Sequence, residues 1–155
     1  MALERIFEPI RLGSVEIPNR IFRAAHGTHF TPGHIGEQLI NYHAERARSG
    51  VGLSFLEIGS VHPSSFCMGL HIWDDGIIPE YEALMKVVRP LGMKVFQQVW
   101  HGGTIYPPAD GRAAWSASSV AGPWSTRRPR PMTIAEIEEM VECFGPAAPR
   151  RGAGG

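Results

Sequence analysis

The chain has 155 residues, 43% of them hydrophobic and 19% charged, with fifteen basic side chains balanced by fifteen acidic ones. Such a composition belongs to a globular domain and not to a disordered chain, and a net charge of zero leaves no global field to attract nucleic acid or anionic membrane. Two distant cysteines, an N-terminus without a long apolar run, and no stretch approaching the ~20 apolar residues of a membrane span lead us to expect a reduced, cytoplasmic, one-domain protein.

Residues 6–18 read as two short β segments about a turn at Gly13. Pro18 then announces a strand over residues 20–25, which gives way to the polar run His26-Gly27-Thr28-His29 and a loop at Thr31-Pro32-Gly33-His34. Residues 37–49 carry Leu39, Ile40, Tyr42 or His43, and Ala47 at three- to four-residue spacing, a helix that Gly50 would close as a left-handed cap. Residues 51–58, VGLSFLEI, form a nearly continuous apolar run, the pattern of a parallel strand covered on both faces. Pro79 opens a second helix with a stripe of Tyr81, Leu84, Met85, Val87 and Val88, and Pro90 with Gly92 ends it. Residues 93–99, MKVFQQV, give the third strand, and a loop rich in proline, serine and alanine covers 104–132. Thr133 and Glu136 have the spacing of a capping box, followed by Ile137, Met140, Val141 and Phe144 on one helix. The domain is therefore placed at 1–144, and the tail 145–155, GPAAPRRGAGG, is expected to be disordered, since its prolines oppose a helix and it has no apolar period.

A hairpin followed by three βα units predicts an α/β fold with one parallel sheet. Parallel neighbours would bring three strand ends together: Ala25-His26-Gly27-Thr28, Glu57-Ile58-Gly59-Ser60, and Gln98-Val99-Trp100-His101-Gly102-Gly103. Strand C-termini are where α/β folds place ligands. Gln98 offers a donor and an acceptor side by side, which complements a cyclic imide edge such as that of a flavin, although a glutamine satisfied inside the fold has the same signature. Gly27 and Gly59 would let the backbone approach a flat ring, or would serve ordinary turns. His26, His29 and His34 have no carboxylate at a ligand-like spacing, so no metal site is expected. His101 reads as a buried, hydrogen-bonded histidine, Asp75 before Gly76 as a turn, and the run from Arg127 to Pro131 as a solvated loop.

These residues resemble the N-terminal part of the Old Yellow Enzyme family, the FMN-dependent NADH:flavin oxidoreductases. The resemblance runs in order through Phe7-Glu8-Pro9-Ile10, Leu12-Gly13, Asn19-Arg20-Ile21, Arg46-Ala47, Gly50-Val51-Gly52-Leu53 with Glu57, and Gln98 to Gly103. It continues through Ser116-Ala117-Ser118, Met132-Thr133 and Glu136-Ile137. It implies a (β/α)8 TIM barrel, of which this chain supplies the first three βα units after a short hairpin, an incomplete barrel. It also implies that Ala24, Ala25, His26 and Gly27 lie against the flavin ring, with Ile58 or Gly59 beside it and Gln98 on its pyrimidine edge.

Departures from the pattern are informative. Ala25 stands where the family usually has proline and His26 where many members have methionine, which is nearer the amine dehydrogenase and 2,4-dienoyl-CoA reductase branch. Gly27 replaces the cysteine that attaches FMN covalently in some members, so FMN is expected to be non-covalent. Thr104 replaces a frequent arginine. The implied activity is hydride transfer between NAD(P)H, flavin and a small-molecule substrate, an activated alkene or an amine. The family's catalytic pair and phosphate-binding loops have no counterpart here, so no catalytic residue is assigned. The alternative expectation is an inert fragment that binds flavin weakly at most.

Overall fold

Gly13 adopts a φ of +60°, and the turn it makes folds β1 (Ile10–Leu12) antiparallel onto β2 (Val15–Ile17). The computed structural model describes residues 3–66, 68–123 and 127–145. Cys67 and all of the tail beyond Gly145 lie outside the described residues.

After the hairpin come β3 (Phe22–Arg23), α1 (Glu37–Arg48) and β4 (Leu53–Ser60), then β5 (Leu70–His71), α2 (Ile78–Val88) and β6 (Lys94–Trp100). Strands β3, β4 and β6 are parallel neighbours, in register at Phe22 with Leu53 and at Leu53 with Lys94. The two βα crossovers expected from the alternation are therefore present, with a third helix, α3 (Ile134–Phe144), after β6.

The first strand is shorter than its sequence suggests. The Arg20 amide donates to Ile6 O at 2.8 Å and the Ile21 amide to Asn19 Oδ1 at 3.0 Å, so backbone groups expected in the ladder are used elsewhere. Strand β4 begins two residues later than the apolar run for a related reason. The Val51 amide donates to Arg46 O at 3.1 Å, closing α1, and the Gly52 amide donates to Ile21 O at 3.0 Å. Gly50, at φ +85°, supplies the left-handed cap. The turn expected at Asp75 is a 3₁₀ turn over Asp75–Ile77, with the Asp74 carboxylate accepting from the Gly76 amide at 2.8 Å. The long loop contains two pieces of order that its composition hides, β7 (Trp115–Ser116) and β8 (Arg130–Pro131), paired in parallel.

Apolar side chains collect behind the sheet, where Leu39 and Ala47 of α1 meet Leu56 of β4, Tyr81, Leu84 and Val88 of α2, and Met140 of α3. The opposite face carries Phe55 and Phe96, edge-on with centroids 5.7 Å apart, and is only half covered. Among the described residues β3 and β6 each pair with β4 on one side and with no strand on the other, so the sheet is open at both edges. No helix of the described residues is long and apolar enough to cross a membrane.

The capping box predicted for α3 is present. Thr133 Oγ1 accepts the Glu136 amide at 3.3 Å, and Glu136 Oε2 accepts the Thr133 amide at 2.8 Å. The hydrogen bond from Arg130, then that from the Thr133 amide, holds the Glu136 carboxyl down at about 2. Replacing Thr133 by alanine is expected to cost about 1 kcal/mol, with serine nearly neutral, read from denaturant midpoints.

Candidate functional site

Three strand ends come together on the half-covered face. Ala24 and Ala25, just past β3, line one cavity of about 480 Å³ with Phe55 of β4 and with Gln97, Gln98 and Val99 of β6. Gln98 is exposed and its carboxamide makes no hydrogen bond among the described residues, so a donor and an acceptor stand available at the wall. Ile58 lies opposite Gln98 in the register and Gly59 opposite Val99, beside the cavity without lining it. A Cβ on Gly59 would lie 2.8 Å from both Gln97 Nε2 and Ile72 Cδ1, so this glycine makes room for packing at the strand end.

The alternation of β6 separates the two glutamines. While Gln98 stays free, Gln97 accepts from the Tyr81 hydroxyl at 2.7 Å and donates to Glu57 O at 2.6 Å. It is the satisfied glutamine of the pair.

The exit of β3, which carries His26 and Gly27, is held from two sides. Glu57, 1% exposed, accepts from both the Thr28 amide at 2.6 Å and the Thr28 hydroxyl at 2.7 Å through one carboxylate oxygen. The register between β4 and β6 slips at this residue, from Leu56 opposite Gln97 to Ile58 opposite Gln98. Glu57 is thus the unmatched residue of a bulge, free to turn toward Thr28. On the other side, Arg23 Nη2 lies 2.6 Å from His26 Nδ1 and also donates to His26 O at 3.3 Å. His26 itself is exposed, and a Cβ on Gly27 would lie 2.9 Å from His29 Nε2.

A second polar network joins the exits of β4 and β6 to α3. The Gly103 amide donates to His101 Nδ1 at 3.2 Å, which leaves the His101 proton on Nε2, 2.9 Å from Ser64 Oγ. Ser64 Oγ donates in turn to His62 Nδ1 at 2.7 Å, and His62 Nε2 lies 3.1 Å from Glu139 of α3. Burial first, then the neighbouring His62, pushes His101 down to about 4, so it is a neutral, hydrogen-bonded histidine, as its sequence setting suggests. His34 pairs instead with Glu80, 2.9 Å away. Among the described residues no three histidine, cysteine or acidic side chains gather as metal ligands.

Ala24 and Ala25, which the resemblance implies, and Gln98, singled out by its carboxamide, line one cavity. Phe55, Val99 and the Glu57 and Arg23 anchors have no signal of their own, because each depends on which strand lies beside it.

Comparison with known proteins matches this architecture. The profile of the NADH:flavin oxidoreductase / NADH oxidase family matches residues 5–155. The NADH oxidase of Thermoanaerobacter brockii is 33% identical over 94% of this chain, which spans 23% of that protein. The N,N-dimethylglycine/sarcosine dehydrogenase of Chromohalobacter salexigens is 28% identical over the whole chain, which spans 24% of it. Morphinone reductase in complex with tetrahydroNAD superposes with a TM-score of 0.87 at 24% identity, over 97% of this chain and 47% of that one. The chain therefore spans about a quarter of those two relatives, and its sheet and helices are the first three βα units of an incomplete (β/α)8 barrel. FMN is the family's flavin and NAD(P)H its co-substrate. On the family profile and on the identity with the NADH oxidase, the chain belongs to the NADH:flavin oxidoreductase / NADH oxidase family, that of Old Yellow Enzyme.

Proposed function

We propose that this chain forms the first wall of a non-covalent FMN site in an NAD(P)H-dependent oxidoreductase acting on a small activated alkene or amine. The observation that carries the reading is the free carboxamide of Gln98 on the rim of a cavity floored by two alanines. Those residues fit a flavin: a mostly apolar space for a ring system, with one side-by-side donor and acceptor for an imide edge. Ala24 and Ala25 take the ring face, Gln98 the pyrimidine edge, and Ile58 and Gly59 flank it. His26 and Gly27 follow Ala25 at the exit of β3, next to the cavity without lining it. When bound, FMN supplies the hydride chemistry, and the protein binds and orients it. The run Ala25-His26-Gly27 favours the amine dehydrogenase and dienoyl-CoA reductase branch, and Gly27 leaves no thiol at that position to attach the flavin.

The chain's own share of this activity is binding. The open outer edges of β3 and β6 are where a closed barrel has further strands, which favours weak flavin binding without turnover by these residues alone. A flavin fluorescence titration, followed by addition of NADH, separates the two. FMN quenching without NADH bleaching is expected. Gln98→Ala is expected to weaken FMN about tenfold, the value of one to two neutral hydrogen bonds. Equal affinity in wild type and Gln98→Ala overturns the assignment of Gln98.

A further inference from the structure

On the flavin reading of the cavity, we infer that Arg23 is a positioning residue that fixes His26 as the Nε2–H tautomer, so that His26 offers the ligand a donor and not a base. A guanidinium has five N–H donors and no lone pair, and it stays protonated in proteins. With Arg23 Nη2 at 2.6 Å, His26 Nδ1 must therefore supply the lone pair. The ring proton is left on Nε2, on the edge turned away from Arg23. A nitrogen that already carries its proton cannot abstract another, so the free edge of His26 suits a hydrogen-bond acceptor such as a ring carbonyl oxygen of flavin.

Arg23 can impose this because it is itself anchored. Its Nη1 donates to Phe55 O of β4 at 2.5 Å, and its Nη2 lies 3.4 Å from the Tyr42 hydroxyl of α1. The Tyr42 ring carries the Arg23 guanidinium 5.0 Å from its centroid and the Arg46 guanidinium at 3.3 Å, and His26 meets the same ring edge-on at 6.1 Å. The orientation of His26 is thus inherited from a strand and a helix, although His26 itself is exposed. Neither Arg23 nor Arg46 has a carboxylate partner among the described residues, so nothing draws Arg23 away from the imidazole.

Long-range ¹H–¹⁵N correlation spectra of the histidine rings test this in the chain without flavin, at about pH 8, where a free histidine is neutral. His26→Gln supplies the assignment. Wild type is expected to show the Nε2–H form in at least about tenfold excess, as a charge-assisted bond to Nδ1 requires. Arg23→Leu is expected to collapse that excess to the weak preference of a free imidazole, and Arg23→Lys to retain part of it. An Nδ1–H ring in wild type, or an unchanged ratio in Arg23→Leu, overturns the inference. Because the tautomer is read without flavin, failure of FMN to bind in the separate titration would sink the flavin reading and leave this result standing.

Discussion

Glu57→Ala is expected to cost about 2–4 kcal/mol of stability and to weaken FMN binding by an order of magnitude or more. The reason lies in how few partners hold the β3 exit. The buried Glu57 carboxylate oxygen accepts both the amide and the hydroxyl of Thr28, at 2.6 and 2.7 Å. Hydrogen bonds to a charged acceptor contribute about 1.5–3 kcal/mol each, and their loss would leave two donors facing a hole. Part of that loss is offset, because alanine also removes the cost of burying a carboxylate that has no ion-pair partner among the described residues, which keeps the net below the sum of two such bonds. Affinity falls as well because the segment released, residues 24–28, holds both alanines of the cavity floor. Glu57→Gln keeps an acceptor oxygen without the charge and should lose about half as much. Thr28→Val removes only the hydroxyl bond and should cost about 1.5 kcal/mol, the low end for a bond to a charged acceptor. Thermal melts and flavin titrations on the three variants check the order, and a Glu57→Ala chain that melts and binds like wild type would refute it.

The bulge that aims Glu57 at Thr28 shows where sequence reading stops. The run VGLSFLEI announces a buried parallel strand, and β4 is one, because continuous apolar character survives any choice of neighbour. A slip of register leaves no mark in that run, so the glutamate at its end reads as a strand residue and not as a clamp. Helix ends were legible for the opposite reason: the Thr133 and Glu136 pair and Gly50 act within a few residues of themselves. The strand boundaries lack that locality. The β3 ladder is cut to Phe22 and Arg23 by Asn19, whose side chain accepts from the Ile21 amide and donates to Gly50 O at 2.8 Å, 31 residues away. No periodicity reports a competition of that range. At the site, Gln98 stands out in the sequence because its carboxamide complements an imide edge, but only the fold shows that Tyr81 takes Gln97 and leaves the Gln98 carboxamide without a hydrogen bond among the described residues. Arg23 was not legible: nothing near it in the chain marks it, and only the fold brings Phe55 O, Tyr42 and His26 around it.

Acidification from pH 7 to pH 5 is expected to remove about 2 kcal/mol of stability through His43 alone. His43 is fully buried on α1. Its Nδ1 lies 3.0 Å from Ser54 Oγ, and its Nε2 has no partner among the described residues. Burial first, then the charges of Arg23 and Arg46 and the neighbouring His26, pushes it down from 6.5 to about 3. In the folded chain it therefore stays neutral where the unfolded chain takes up a proton. The unfolded state binds more protons throughout the window from 6.5 to about 3, so stability is fully present above 6.5 and is lost as the pH falls. His101, pushed down to about 4, adds to the loss in the same direction. Glu136, held at about 2, gives up its contribution only below its ordinary value of 4.5, so the interval from pH 7 to 5 reads the histidines. His43→Gln keeps a hydrogen-bonding group for Ser54 and cannot titrate. Denaturant unfolding at pH 7, 6 and 5 should give a flatter pH dependence for that variant, by about the 2 kcal/mol assigned to His43. Parallel curves for the two proteins would mean that the buried imidazole takes up its proton as readily folded as unfolded, and that the positive cluster of Arg23 and Arg46 exerts no field on it.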